Sequence, residues 1–409
     1  MRVLSVTESY APFLEFGGPP VKVQALAQGL AGHGNRVTVL TADWGFKARM
    51  NEKQTASAER SPFGWEWRDH GVTAIYLPTW LRYRSVTWNP RLRRFCRKLL
   101  RDFDVVHIYG LYDFLGPKVA SSCARLKIPY VVEPIGMFVP IVRSFRLKRV
   151  YHAWFGRRLF EEAGAIVVTS EQERAELVNG GVAREKIVLR RNGVEAPASW
   201  PERGVFRKVL GIAEDAKVIL FLGRLSEKKS PGLLLRAFAS LAREAPGRNL
   251  HLVFAGPDEN GMQARLRQMA GELLVGSQVK FTGAIFGETK WAAYRDADVF
   301  VLPSQNENFG NTAAESAAAG TPIIVTEQCG IAPLLAGVAG IVVAHDEAAL
   351  AEAIKSLVGN AELHARLSAG CSSVTSQLGW DEPVGEMESL YNKLAIARPT
   401  SAESGISWR

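Results

Sequence analysis

Short apolar runs alternate with amphipathic stretches along this chain, the pattern of strands buried on both faces and separated by helices. In the first half, runs at residues 2–7, 36–41, 72–77, 104–108, 129–133, 165–170 and 186–190 predict seven strands. In the second half, runs beginning near Lys217, Leu250, Gln278, Ala297 and Thr321, with Gly340 to Val343 last, predict six more. Helical spacing fills the intervals. The first of these helices opens at Pro19-Pro20, where a missing amide costs nothing. Strand and helix alternation in both halves predicts an α/β protein built from two Rossmann-like, doubly wound domains. Residues 196–204, Ala-Pro-Ala-Ser-Trp-Pro-Glu-Arg-Gly, hold no period and read as a linker between a domain at 1–195 and one at 205–379. Residues 45–70 are polar without a clear period and read as an insertion or loop. A last helical pattern covers 380–396, and 397–409 reads as a disordered tail.

One stretch organises the second half: Pro303-Ser-Gln-Asn-Glu-Asn-Phe-Gly-Asn-Thr-Ala-Ala-Glu-Ser-Ala-Ala-Ala-Gly-Thr-Pro322. A buried strand runs into it and another leaves it. Between them a polar loop opens an Ala-rich helix, which Gly320 and Pro322 close. A helix N-terminus presents unpartnered amides and a favourable dipole to an anion. Glu307 and Glu315 flank that anion site, and carboxylates accept hydrogen bonds from hydroxyls. Amides for a diphosphate with a carboxylate on each side point to a sugar nucleotide. The plainer alternative stays open: Thr312-Ala-Ala-Glu315 also spells a capping box, and Glu307 also fits a solvated loop acid.

This segment resembles the E-x7-E signature of the family 4 retaining glycosyltransferases, which have the two-domain GT-B fold, and the resemblance extends over nearly the whole chain. It implies an active site in the interdomain cleft and a final helix at 380–396 that crosses back to the first domain. It also implies that Glu315 holds the nucleotide ribose and that Glu307 sits beside the donor sugar as a catalytic residue. Asn308, Phe309, Gly310, Asn311 and Thr312 then supply the diphosphate and sugar loop. Arg224-Leu-Ser-Glu-Lys-Lys-Ser230 matches the family's G-R-L-x-x-x-K, so Arg224 and Lys229 are expected on the diphosphate, through paired hydrogen bonds and a point charge. Ser230 departs from the common Gly. Gly17 and Gly18 resemble the family's Gly-Gly loop, which meets the donor phosphates. His107, at a strand end where the family often has a His, reads as a second catalytic candidate or as a satisfied structural His. Ile135 fills a slot where the family commonly has His; this is the main departure.

No cofactor and no metal are expected. Asp296-Ala-Asp298 imitates a metal-binding D-x-D, but Asp298 reads as the start of a strand, so the cations and the helix N-terminus are left to neutralise a leaving diphosphate. The four cysteines show neither metal spacing nor a disulfide framework, and the chain begins directly with a strand, so a cytoplasmic protein without a signal peptide is expected. Residues 1–200 carry 30 Lys and Arg against 18 Asp and Glu, whereas the remainder carries 20 against 23. The basic half admits nucleic acid, an anionic membrane surface or an acidic acceptor. Nucleic acid is set aside because no binding module, Walker loop or G-x-G-x-x-G is found.

Two basic stretches remain. From Arg82 to Arg101 eight cations occur without an acid, and Leu92, Phe95, Cys96, Leu99, Leu100 and Phe103 fall at helical spacing, with their face assigned to the core. From Arg143 to Arg158 aromatics are interleaved, as at a headgroup surface or on a solvated helix. The expected activity is transfer of a UDP- or GDP-linked hexose to a saccharide or lipid-linked saccharide, in cell-surface polysaccharide or lipopolysaccharide synthesis, at the inner face of the cytoplasmic membrane. A non-catalytic sugar-nucleotide-binding subunit and a sugar-nucleotide epimerase are the alternatives.

Overall fold

A computed structural model describes residues 1–13, 17–49, 57–83, 86–138, 157–244 and 249–397. The chain divides into two compact units: Met1–Val168 with Arg174–Arg190 and the segment from Trp380, and Thr169–Glu173 with Arg191–Gly379.

Unit 1 is built on a nine-stranded sheet. Its strands are β1 (Arg2–Val6), β2 (Arg36–Ala42), β3 (Ala58–Arg60), β4 (Trp65–Asp69), β5 (Val72–Leu77), β8 (Val105–Tyr109), β9 (Tyr130–Glu133), β10 (Ala165–Val168) and β11 (Ile187–Leu189), while β6 (Leu81–Tyr83) and β7 (Val86–Trp88) form a separate antiparallel hairpin. The order β11-β10-β9-β8-β1-β2-β5-β4-β3 reverses direction of growth between β8 and β1, which makes that edge the topological switch point. Alternate residues of one strand feed different cores. Leu4, Leu40, Val106 and Val132 face one helix layer, and Val3, Val39, Val105 and Val131 the other. Both faces are buried, which is why these strands are nearly continuous in apolar residues.

Residues 45–70 are not simply a loop. Their described part contributes β3 and β4, an antiparallel extension of the sheet edge. Trp67 is buried, while Glu66 and Arg68 form a salt bridge beside it. The basic helix Leu92–Lys98 buries Leu92, Phe95 and Cys96, and Leu100 and Phe103 follow them into the core. Its apolar face is therefore core, as its periodicity indicates. Arg84, residues 143–156 of the second basic stretch and the tail from 398 lie outside the described residues.

The helix Asp381–Ile396 packs on the helix Gly18–Gly32 of the same unit. A Cβ on Gly29 would stand 2.5 Å from Val384 Cγ2, so the two helices meet where only Gly fits. Glu388 reaches His33 Nδ1 at 2.9 Å and Asn35 Nδ2 at 2.7 Å.

Unit 2 carries a six-stranded, wholly parallel sheet, ordered β14 (Val279–Gly283), β13 (Leu250–Ala255), β12 (Lys217–Leu222), β15 (Val299–Leu302), β16 (Ile323–Thr326) and β17 (Gly340–Val343). Its switch point lies between β12 and β15, and the two loops that follow these strands carry the candidate chemistry.

Candidate active site

The loop after β15 is pinned along its length. Gln305 N donates to Lys228 O, Glu307 N to Gln328 O, Gly330 N to Glu307 O and Ile331 N to Phe309 O, at 2.7–2.9 Å. Glu307 and Cys329 thus form a one-residue parallel bridge. The approach is close enough that a Cβ on Gly330 would lie 2.0 Å from Asn308 O and 2.6 Å from Ser170 Cβ. Gly310, at φ +105°, turns the loop into the helix Asn311–Ala318 as its N-cap, with no side chain capping the first turn. The capping-box alternative is therefore not realised: Thr312 lies inside the helix, and Glu315 reaches elsewhere. At the far end Gly320 N bonds Ala317 O and Thr321 N bonds Ser316 O, a Schellman stop. Phe309 is buried beneath the loop as an anchor.

Each flanking carboxylate is held by a cation. Glu307 Oε2 pairs with Lys229 Nζ, the two side chains being 18% and 17% exposed. Glu315 accepts from Lys290 Nζ at 2.8 Å and from the Tyr294 hydroxyl at 2.9 Å, one partner on each oxygen. Burial and the neighbouring Glu315 carboxylate keep the Tyr294 hydroxyl protonated far above its usual range, so it stays a donor. Lys290 and Tyr294 occupy one face of the helix Gly287–Asp296, four residues apart. The sequence singles out neither, because the acid they hold lies on another helix, 25 and 21 residues further on. Among the described residues, Ser304 Oγ, Asn308 Oδ1, Thr312 Oγ1 and Gln328 Oε1 are buried with no hydrogen-bond partner. Buried polar atoms are normally paired, and unpaired ones on this loop, on the first turn of the helix and on the loop after β16 suit a ligand that pairs them.

The loop after β12 supplies the cations. Gly223 and Gly256 touch backbone to backbone, since a Cβ on Gly256 would fall 1.9 Å from Gly223 O. Leu225 N then bonds Pro257 O at 2.9 Å, and this fixes where the following residues leave the sheet. Lys229 turns to Glu307, whereas Arg224 is more than half exposed and faces Glu259 at 3.4 Å. The structure thus joins Lys229 to the Glu307 loop and gives Arg224 a separate, exposed acid. Ser230, where Gly is common, adopts φ +50°, the conformation that favours Gly. Its hydroxyl is tied to His345 Nε2 at 2.9 Å.

Asp296 and Asp298 are fully occupied by protein groups. Asp296 accepts the amides of Gly204, Phe206 and Arg207, and Asp298 accepts from Arg207, Lys217 and the Val218 amide.

In unit 1, Gly17 is the N-cap of the helix Gly18–Gly32 at φ +97°, and open space surrounds the position of a Cβ there. His107 requires a correction as a group facing a substrate. Its ring is fully buried, stacked on Tyr109 with centroids 3.9 Å apart, and its Nδ1 lies 2.6 Å from the Tyr391 hydroxyl of the last helix. Burial, with Arg190 and Lys22 adding, pushes its pKa down to about 3 against the pull of Glu133, so the ring is neutral. It belongs to a sealed cluster. Glu133 accepts from Arg190 Nη2 on both oxygens, at 2.9 and 3.0 Å, and pairs with Lys22. Burial alone would raise Glu133, but Arg190, Lys22 and His107 hold it at about 2. A second acid near the switch point behaves oppositely: burial and Asp113 raise Glu8 to about 8, with Arg82 opposing. Ile135, a β-branched residue, sits at φ +54° in the turn after β9, a strained conformation for its type.

Comparison with known proteins agrees with this architecture. Residues 17–193 match the family described as Glycosyl transferase 4-like domain, and residues 202–370 the family described as Glycosyl transferases group 1. A D-inositol 3-phosphate glycosyltransferase of Geodermatophilus obscurus is 34% identical over 255 residues, 60% of this chain and 56% of that protein. The match therefore spans a little over half the length of that relative. Among solved structures, the sucrose-phosphate synthase of Thermosynechococcus elongatus superposes with a TM-score of 0.72 at 21% identity, over 97% of this chain and 99% of that one. Anabaena HepE in complex with UDP and glucose gives 0.75 at 17% identity, over 96% and 100%. At such identities the likeness speaks to the fold, which is GT-B. With both halves matched by family and by fold, the chain belongs to the group 1, family 4-like glycosyltransferases.

Proposed function

We propose that this protein transfers a hexose from a UDP- or GDP-linked donor to a saccharide acceptor, with retention and without a metal. The observation that carries the reading is the uncapped N-terminus of the helix Asn311–Ala318 between two acids, each already paired with a donor side chain. In this reading Glu315, oriented by Lys290 and Tyr294, accepts the ribose hydroxyls with its remaining lone pairs. Glu307 orients the donor sugar. Lys229 exchanges its contact with Glu307 for the diphosphate as the donor arrives, and Arg224 swings from Glu259 to join it. The amides from Asn308 to Thr312 complete the site. Retention places the acceptor oxygen on the face the nucleotide leaves, and the departing phosphate takes its proton. Anabaena HepE, of the same fold, is described with UDP and with UDP-glucose, which supports a nucleotide-sugar donor.

The basic charge of the first half supports an acidic or lipid-linked acceptor, as in cell-surface polysaccharide or lipopolysaccharide synthesis, met at the inner face of the cytoplasmic membrane. No helix among the described residues is long and apolar enough to cross a membrane. The test is a thermal-shift screen of sugar nucleotides followed by product analysis with the best donor, since a ligand bound only by the folded state raises its melting point. A glycosylated acceptor, with the nucleoside diphosphate released, supports the reading. A protein whose melting point no sugar nucleotide moves refutes it. A second reading, a subunit that binds the donor without turnover, draws on the strained Ile135 in a slot where the family commonly has His. It predicts a thermal shift with no product, while an epimerised sugar nucleotide would mark the epimerase alternative.

A further inference from the structure

Unit 1 contains a pocket of about 640 Å³ that no residue named for the donor touches. Its size falls within the ~300–1,000 Å³ of small-molecule sites. Leu92, Ala120, Tyr130 and Leu159 form its apolar wall, and Trp88 and Phe114 stand at its mouth, edge to face at 6.1 Å. Both mouth residues are exposed, 56% and 42%, and Leu81, paired across the hairpin with Trp88, is 71% exposed beside Trp80 at 78%. An apolar pocket thus opens into an exposed aromatic patch, an arrangement that costs solubility unless something covers it.

The rim supplies the second observation. Arg93 and Lys118 line this pocket and also a neighbouring hollow of about 330 Å³, where Arg97, Arg101 and Arg125 join them. No salt bridge among the described residues uses any of these five cations. The one acid lining either hollow, Glu162, is taken by Arg158 at 2.7 Å. The site therefore joins a hydrocarbon-sized apolar hollow, with Trp88 at its mouth, to a basic trough through Arg93 and Lys118. Tryptophan favours the membrane–water interface, and cations near an anionic leaflet contribute ~1 kcal/mol each.

We infer that this pocket seats the hydrocarbon chain of a phosphate-headed membrane lipid, whose phosphate rests on Arg93 and Lys118. The occupant is drawn from the bilayer on which Trp80, Leu81 and Trp88 settle. A soluble anion would use the trough but leave the pocket empty; a neutral apolar ligand would leave the trough unused. The lipid uses both. The inference is independent of the donor site and stands or falls without it.

The test uses the full chain with vesicles of phosphatidylcholine, with and without phosphatidylglycerol brominated along its acyl chains. Bromine quenches tryptophan only at short range, so quenching that disappears in Trp88→Phe reports a chain beside Trp88. Quenching is expected with the anionic vesicles alone. Phe114→Glu, which charges the mouth, and Ser121→Phe, which fills the hollow, should each reduce it at least ~5-fold. Reversing Arg93 and Lys118 to Glu should weaken vesicle affinity at least ~10-fold. Vesicle binding without any Trp88 quenching would overturn the proposal and leave an electrostatic surface only. Equal quenching in Phe114→Glu and Ser121→Phe would overturn it as well. Inorganic phosphate that displaces the protein from vesicles at millimolar concentration would reassign the trough to a soluble anion. Phe114 is exposed, so its variant keeps the test decisive should Ser121→Phe fail to fold.

Discussion

Each unit holds a constellation of acids, cations and a tyrosine, and the two differ in their access to water. In unit 1, Lys22, Glu133, Arg190, His107 and Tyr391 are at most 2% exposed. In unit 2, Lys229–Glu307 and Lys290–Glu315 keep 17–22% of each side chain exposed. The chemistry is alike, but the consequences diverge. Sealed charges have no solvent to fall back on, so each holds the others in place and the last helix is tied to the first sheet through Tyr391. Partly exposed pairs can trade a protein partner for a ligand at smaller cost, because water reaches them and screens the exchange. The comparison separates ionic groups that organise the fold from those free to react, and no residue type alone makes that distinction.

The sharpest way to break it is Glu133→Gln, which strands Arg190 and Lys22 in a dry interior. Removing one member of a buried pair costs ~3–5 kcal/mol, and a urea titration should show the unfolding free energy reduced by that amount. A reduction below ~1 kcal/mol would put the two regions on the same footing. The same cluster predicts an acid response. Glu133 is depressed to about 2 from 4.5, so its contribution is complete above pH 4.5 and lost as pH falls towards 2. His107, depressed to about 3 from 6.5, binds its proton first in the unfolded chain, so it costs stability as pH falls from 6.5 to 3. Both act in one direction, and Glu133→Gln should flatten the lower part of the melting-temperature profile.

Gly330→Ala comes next. Its Cβ collides with backbone rather than a movable side chain, so ~1–3 kcal/mol of stability should be lost, along with nucleotide binding by calorimetry. Retained binding would show that the pinned loop is not what presents the amides. Glu315→Ala should then weaken nucleotide affinity by ~1.5–3 kcal/mol, the worth of hydrogen bonds to a charged acceptor, with thermal stability nearly unchanged. Tyr294→Phe should lose part of that, and only for nucleotides that carry ribose hydroxyls. A 2′,3′-dideoxynucleotide bound equally by parent and Tyr294→Phe would tie the tyrosine to the ribose through Glu315. An equal loss for both nucleotides would make it merely structural. The smallest effect belongs to Ser230→Gly, which relieves a left-handed backbone but drops the His345 contact; chemical denaturation should shift by less than ~1 kcal/mol.

The sheets were legible because parallel strands buried on two sides leave runs such as Val72–Leu77 that nothing else explains. The edge strands were not. In Trp65-Glu-Trp-Arg-Asp69 only Trp67 is buried, so a single core side chain stands among polar neighbours and leaves no apolar run. The Glu307 to Gly320 stretch could be read because its parts are adjacent in sequence: loop, Gly cap, acid, stop. What holds it was hidden. Lys290 and Tyr294 reach Glu315 from another helix, and Gly330 reveals its role only when Asn308 stands against it. His107 marks the limit most clearly, since its partner Tyr391 lies 284 residues away and the strand alone says nothing about that seal.

The pinned loop has a consequence for how such a site diversifies. Bonds at Gln305, Glu307, Phe309 and Gly330 fix the register before the helix, and from Gly310 the helix itself sets the spacing to Glu315. One residue gained or lost inside the helix between Asn311 and Glu315 would turn that acid by ~100° about the axis and move it ~1.5 Å along it. Glu315 would then leave Lys290 and Tyr294 behind. Changes of length are therefore closed to this segment. New specificity has to come by exchanging side chains at fixed positions, or from neighbouring loops with no register to keep.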